Sequence, residues 1–441
     1  MKKITIIGGG LAGCEAAFQA AKLGIEVDLY EMRPKKQTGA HSTDNLAELV
    51  CSNSLGSNDL SAASGLLKEE LRRLGSRLIK FADETTVPAG NALAIDRELF
   101  AQKVTSAIKE NPLINLINRE VTEIPCDTPV IIASGPLTSK ALAEEIKKFT
   151  GREHLYFFDA IAPIVEKESI DFSKAFLASR YDKGEPSYIN CPMNKEEYGK
   201  FYEILINAPV IELKEFEKNS KFFESCLPVE VLAKRGVDTL RYGPLKPVGL
   251  DIPKTGAKNY AVIQLRQDNK AATLYNLVGF QTNLKWGAQK ELIRSIPGLE
   301  NAEIVRYGVM HRNTFIYSPS ALNQGMQTKQ RANVFFAGQI SGVEGYTESI
   351  ATGLLSGINA ARFAGGEDLL VLEPVSMLGA LISYITYPEH KNFQPVNSNW
   401  GILPPLETDL KGRKNKALKK QLMAERSLAY LDLRKDSDFA D

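Results

Sequence analysis

The chain has 441 residues, 44% of them hydrophobic and 24% charged, which is ordinary globular composition. That length suggests two or three domains and is ample for a large buried core. A formal net charge of +1 excludes an overall basic protein, so a nucleic-acid ligand would have to meet a local basic patch. The five cysteines, Cys14, Cys51, Cys126, Cys191 and Cys226, form no C-x-x-C pair, and the four histidines do not cluster with them. This argues against a zinc site and against a local redox dithiol, and no metal is expected. The apolar run in "MKKITIIGGG" is too short for a signal peptide. No run approaches the roughly 18 apolar residues of a membrane span. A cytoplasmic protein with free thiols is expected.

The opening 33 residues read as a βαβ unit. "ITII" is a buried strand, and Gly8, Gly10 and Gly13 give G-x-G-x-x-G, with Gly9, Leu11 and Ala12 completing the turn. A helix from Cys14 to Leu23 ends at Gly24, a residue type suited to a helix stop. The second strand, "EVDLY", runs into Glu31, 23 residues after Gly8. Gly8 makes the tight turn, Gly10 lets the backbone approach a pyrophosphate, and Gly13 allows close helix packing. Glu31 accepts from ribose hydroxyls. Cys14 reads as a small buried residue of the helix.

Next comes "ELVCSNSLG", residues 48 to 56, which puts Cys51 in a polar loop where turn residues are the rule. "KEELRRLGSRLIK" (68 to 80) reads as a helix with Arg72, Arg73 and Arg77 roughly along one side. "TPVIIASGP" (128 to 136) is a strand ending in a small-residue turn. The middle of the chain is richer in aromatics and prolines. "YAVIQLRQD" and "TLYNLVGF" alternate as antiparallel strands do, and "NLKWGAQKELIRSIPGLE" is a helix stopped by Pro297. Cys126 and Cys191, in "IPCDTP" and "NCPM", read as structural residues of Pro-bounded loops.

Near the far end, "ANVFFAGQISGVEGYTESIATGLLSGINAARFAGG" is a strand, a glycine loop and a helix of small residues. It resembles the second flavin-contacting segment of FAD proteins of the glutathione-reductase type. That resemblance implies FAD, with Gly338, Gln339 and Tyr346 beside it. Gln339 stands where many such proteins carry Asp, and an amide can bond the same groups. The helix beginning near Tyr346 would aim free N–H groups at the flavin, favouring its anionic reduced form. The expected fold is α/β: a glutathione-reductase-type Rossmann FAD-binding domain from residues 1–160 and 305–441, with an α+β domain, 161–304, inserted. Last comes "KGRKNKALKKQLMAER" (411 to 426), with five Lys and two Arg against one Glu. An apolar stripe of Ala417, Leu418 and Leu422 would dock it, leaving Lys414, Lys416, Lys419 and Lys420 facing a polyanion.

Five segments then occur in an ordered set: "GGGLAGCEAA", "ELVCSNSLGS", "PAGNALAIDRELF", "GFQTNLKWGAQKELIRSIPGLENAEIVRYGVMHRNTFI" and "FFAGQISGVEGYTESIATGLLSGINAA". Together they resemble the folate- and FAD-dependent tRNA uracil-5-methyltransferases (TrmFO), over essentially the whole chain. The larger GidA-type enzymes, which modify wobble uridines, share a "GQI-GVEGY"-like segment. The extra C-terminal helical domain expected of that larger type is not recognised here.

The resemblance implies formation of 5-methyluridine in the tRNA T loop, at uridine 54. The carbon comes from 5,10-methylenetetrahydrofolate, the hydride from reduced FAD, and NADH or NADPH recharges the flavin. Carbon 5 of uracil is a poor nucleophile until a thiolate adds at carbon 6. Two cysteines match the family's thiols: Cys226 in "FFESCLPVE", assigned to carbon 6, and Cys51, a second thiol near flavin and substrate. Tyr346 would stack on the flavin, and His311 and Arg312 would hold folate where the insertion returns. Two other readings remain: an FAD-dependent oxidoreductase of a small molecule, and a GidA-like wobble-uridine enzyme.

Overall fold

The strand β1 (Lys3–Ile7) leaves Ile4 and Ile6 fully buried, as a near-continuous apolar run in a parallel sheet requires. The computed structural model describes residues 2–38, 40–153, 155–160, 162–182, 185–211, 227–251, 258–308, 310–390, 393–407 and 415–438. The helix α1 (Leu11–Lys22) returns the chain to β2 (Glu26–Glu31), which lies parallel to β1. Three more strands complete a five-stranded parallel sheet in the order Val334–Phe336, Val130–Ile132, β1, β2, Ile114–Asn118. The helix Tyr346–Gly365 lies directly on α1. Its small residues are needed there: a Cβ on Gly353 would sit 2.4 Å from the Ala12 carbonyl oxygen, and one on Gly357 2.5 Å from that of Ala16.

A second sheet of six antiparallel strands is built from the middle of the chain. Its order is Phe176–Ala178, Tyr188–Met193, Ala261–Gln267, Leu274–Leu277, Ile164–Glu166, Ile304–Arg306. Helices Lys195–Asn207 and Trp286–Arg294 bury Tyr198, Phe201, Leu205, Leu292 and Ile293 in the core of this unit. The buried apolar residues fall mainly into two clusters, one from residues 4–146 and 315–431, the other from 165–302. The chain passes between them along an antiparallel pair, Leu155–Ala160 with Met310–Phe315.

Three expectations are corrected. Residues 68 to 80 form two helices, α2 (Ala63–Arg73) and α3 (Arg77–Glu84), because Gly75 takes φ +77° between them. Their arginines are no free basic row: Arg72 pairs with Asp83 and Glu69, and Arg73 with Glu69 and Asp432. Cys191 lies in a strand, not a loop. Pro192 is tolerated beside it because pairing with the neighbouring strand Phe176–Ala178 stops at Asn190, leaving an edge. The basic stretch opens a helix, Lys416–Asp438, but it docks about two turns later than expected. Ala424, Ser427, Leu428 and Leu431 are buried at helical spacing, whereas Ala417 and Leu418 are exposed. Ser427 donates to buried Glu70, whose carboxylate also accepts from the Met377 and Leu378 amides, at 2.6 and 2.8 Å. Burial pushes the Glu70 carboxyl up to about 7 in spite of these three donors.

Candidate active site

Eight of the ten residues assigned to a dinucleotide line one groove: Gly8, Gly10, Leu11, Ala12, Glu31, Gly338, Gln339 and Tyr346. Ser134, Gly135 and Pro136, from the small-residue turn at the end of "TPVIIASGP", form its other wall. Gly9 and Gly13 shape the turn from behind. Gly9 donates its N–H to Glu31 Oε2 at 2.9 Å, and a Cβ on Gly13 would lie 1.8 Å from the Gly8 carbonyl oxygen. At Gly10 a Cβ would meet nothing within 4 Å. That open space beside the backbone is where a pyrophosphate is received. The helices that start after Gly10 and Gly345 both lack a side-chain cap, so their first N–H groups are left for an anion. These residues fit FAD.

Glu31 is more engaged than its sequence context suggested. Its Oε1 accepts from the Arg33 backbone N–H at 3.0 Å and from Arg33 Nε at 3.1 Å. Arg33, 1% exposed, reaches on to Glu48 and to the Thr43 carbonyl. Burial alone would raise the Glu31 carboxyl, but the adjoining guanidinium and these bonds hold it below the usual range. The carboxylate is therefore ionised and fixed before any ribose arrives.

Cys51 lines a second cavity, of about 570 Å³. The groove and this cavity share a wall made of Val50, Pro136, Leu137, Gln339 and Tyr346. Gln339 Nε2 donates to Glu344, which lines the cavity as well. The tyrosine hydroxyl accepts from the Cys51 N–H at 2.7 Å and from the Ser52 N–H at 3.1 Å. Burial pushes the Tyr346 hydroxyl pKa up, so it remains a neutral phenol. The rest of the loop is held the same way. Arg97 donates to the Leu49 carbonyl and Arg306 to that of Val50, each at 3.1 Å. Asn53 donates to the Ile95 and Gln267 carbonyls and accepts from Arg266 Nε at 2.9 Å. Arg97 also pairs with Asp268, joining the parallel-sheet unit to the antiparallel one.

Cys226 lies outside the described residues, as does Lys414. The chain resumes at Leu227, and the Val229 N–H donates at 2.7 Å to the carbonyl of Gln281, a residue lining the Cys51 cavity. His311 and Arg312 sit on the strand Met310–Phe315, in register with Asp159 and Phe158, and Asn313 of that strand lines the cavity. Lys416 is exposed and Lys419 half-buried. Lys420 is not free: its Nζ donates to the Ser61 carbonyl and stands 5.7 Å above the Trp400 ring. Ser61 is two residues before Ala63, which lines the cavity, so the basic helix adjoins that rim. Cys14 and Cys191 are buried, and burial raises both thiols well above their ordinary range. Among the described residues no cluster of His, Cys, Asp and Glu could hold a metal ion. No described helix is long and apolar enough to cross a membrane.

Such a groove beside a thiol-lined cavity defines a Rossmann-type flavoprotein. Residues 3–368 match the family described as "Glucose inhibited division protein A". The fold is similar to that of GidA from Aquifex aeolicus, with a TM-score of 0.69 and 19% identity over 98% of this chain and 75% of that one. A protein named methylenetetrahydrofolate--tRNA-(uracil-5-)-methyltransferase TrmFO, from Halalkalibacterium halodurans, is 60% identical over 94% of both chains. Another of that name, from Brevibacillus brevis, is 59% identical over 96% of both. The chain belongs to the GIDA family and, within it, to the TrmFO proteins.

The two glycines should separate binding from folding. Gly10→Val should purify colourless, yet its apoprotein should match the wild-type apoprotein in urea unfolding, because the added side chain fills only the ligand's space. Gly13→Val should lose about 3 kcal/mol of stability, because its Cβ strikes the Gly8 carbonyl. A yellow Gly10→Val protein would contradict this account of the groove.

Proposed function

We propose that this protein makes 5-methyluridine at position 54 of the tRNA T loop, with 5,10-methylenetetrahydrofolate as carbon donor. What carries the reading is the shared wall: the groove that fits FAD and the cavity lined by Cys51 meet at Gln339 and Tyr346. The names of relatives about 60% identical over nearly the whole chain support the same reaction. With tRNA and folate as substrates, the place of action is the cytoplasm.

FAD would be held by the glycine turn, Glu31, Gly338 and Gln339. When bound and reduced it supplies the hydride that completes the methyl group, and NAD(P)H restores its electrons. The protein's own groups do the rest. The Cys226 thiolate adds to uracil carbon 6, and the ring electrons move toward carbon 5 and oxygen 4 as an enolate. Carbon 5 bonds to the one-carbon unit as that carbon leaves a folate nitrogen. The proton on carbon 5 then departs as the remaining bond from the one-carbon unit to folate breaks, leaving an exocyclic methylene on the ring. Uptake of hydride at that carbon makes the methyl group, and the thiolate is expelled to restore the ring. Cys51, fixed through its backbone to Tyr346, serves as the second thiol beside flavin and substrate. Val229 ties the chain three residues beyond Cys226 to the cavity wall, and three residues span at most about 10 Å. His311 and Arg312 are proposed folate contacts, on a strand whose Asn313 lines the cavity. Lys414, Lys416 and Lys419 are proposed to meet tRNA phosphates beside the cavity rim, with Lys420 bridging to Ser61.

Cys226→Ala should retain FAD and tRNA binding and NADPH-driven flavin reduction, yet make no 5-methyluridine and form no covalent complex with tRNA carrying 5-fluorouridine at the target. Cys51→Ala should lose turnover but still be trapped. Trapping that survives in Cys226→Ala and vanishes in Cys51→Ala would reverse the two roles.

Neutralising Lys414, Lys416 and Lys419 should weaken tRNA binding and flatten its salt dependence by about two to three phosphate contacts, with flavin content unchanged. Wild-type affinity and slope in a gel-shift titration would remove this helix from the tRNA site.

A further inference from the structure

One carboxylate in the cavity wall is half-used. Glu348, in the first turn of the helix Tyr346–Gly365, lines the Cys51 cavity and is 5% exposed. Its Oε1 accepts from the N–H and the hydroxyl of Ser398, at 2.8 and 2.6 Å. Its Oε2 accepts from no donor among the described residues, is not among the fully enclosed unpartnered atoms, and lies against Gly345, which lines the same cavity. The nearby ammonium does not fill the vacancy, since Lys68 spends its bonds on the Leu55 and Ser64 carbonyls, at 2.8 and 2.9 Å. A carboxylate withdrawn from water with one oxygen unbonded carries a desolvation cost that a ligand's donors would remove.

Three rings meet here if the proposed function holds, and their charges differ. Reduced flavin and the uracil enolate both gather negative charge, which an adjacent carboxylate opposes. The pteridine of the folate is the reverse. Its 2-amino group and N3–H are neighbouring donors on one edge, and N5 turns cationic when the methylene bridge opens toward N10. One carboxylate oxygen with two free lone pairs can accept both donors. Glu344, the other carboxylate of this wall, already accepts from Gln339.

We propose that Glu348 Oε2 accepts from the 2-amino and N3–H groups of the folate pteridine and so fixes that ring in the Cys51 cavity. This rests on the folate-dependent reading above. Glu348→Gln tests it sharply, because the Ser398 N–H holds the amide oxygen and turns the amide NH₂ toward the pteridine's donors.

The experiment is calorimetric titration of flavin-loaded protein with tetrahydrofolate and with its 2-desamino analogue. Wild type should bind the analogue at least tenfold more weakly than tetrahydrofolate. Glu348→Gln should keep its flavin, bind tetrahydrofolate at least tenfold more weakly than wild type, and no longer distinguish the two ligands. Tetrahydrofolate affinity unchanged in Glu348→Gln overturns the proposal, as does loss of flavin with tetrahydrofolate affinity retained. If that variant does not fold, equal affinity of the wild type for both ligands overturns it. Because the readout is binding, a wild type that binds tetrahydrofolate but makes no 5-methyluridine would remove the proposed reaction alone.

Discussion

The hydroxyl of Tyr346 is the point on which this site turns. It accepts from two successive backbone N–H groups, Cys51 and Ser52, and its ring stands between the groove and the cavity. A polar loop drawn inside a protein must have its backbone groups satisfied one by one. Here the partners come from far apart: Arg97 for Leu49, Arg306 for Val50 and Tyr346 for Cys51 and Ser52, while Arg266 and Gln267 hold the Asn53 side chain. Two of these guanidinium groups, Arg266 and Arg306, have their pKa lowered chiefly by burial, a sign of how little water reaches this junction. Asp268 pairs with Arg97 and accepts from Asn276, while Arg266 is held by hydrogen bonds to the Asn53 and Asn276 side chains and Arg306 by the Ala40 and Val50 carbonyls.

That arrangement couples the thiol to the docking of the antiparallel-sheet unit. Arg266 and Gln267 lie on its strand Ala261–Gln267, and Arg306 ends its edge strand Ile304–Arg306. A shift of that sheet would move the acceptors and donors of the loop before it moved anything in the glycine turn. The groove, by contrast, depends on α1 and the helix Tyr346–Gly365, whose backbones meet at Gly353 and Gly357. Cofactor binding and thiol placement thus rest on separate contacts that meet at one tyrosine.

What could be read in the chain was what short-range rules govern. The glycine turn, the strand ending at Glu31 and the small-residue helix each need particular residues at fixed local spacing, so they were legible. Arg97, Arg266, Arg306 and Glu348 were not, because each acts on a partner distant in sequence or on a cavity formed only by folding; Arg33 and Glu48 were not, because their short-range bonds follow no fixed motif spacing. Even so, a Glu in the first turn of a helix with no side-chain cap was a local signal that Glu348 stands by the site. The helix from 68 to 80 was misread by giving Gly75 too little weight as a stop. The docking face of the last helix was misplaced because apolar residues at Ala417 and Leu418 mimic a stripe that tertiary contact starts only at Ala424.

The most direct measurement is the rate of 5-methyluridine formation by Tyr346→Phe, in protein matched to wild type for flavin content. The change keeps the ring but strips the acceptor from the Cys51 and Ser52 N–H groups, a loss of about 1–3 kcal/mol at a buried site. Flavin binding and NADPH-driven reduction should stay at wild-type levels while methylation falls at least tenfold. A Phe variant that methylates at the wild-type rate would show that the hydroxyl does not hold the thiol loop in its working place.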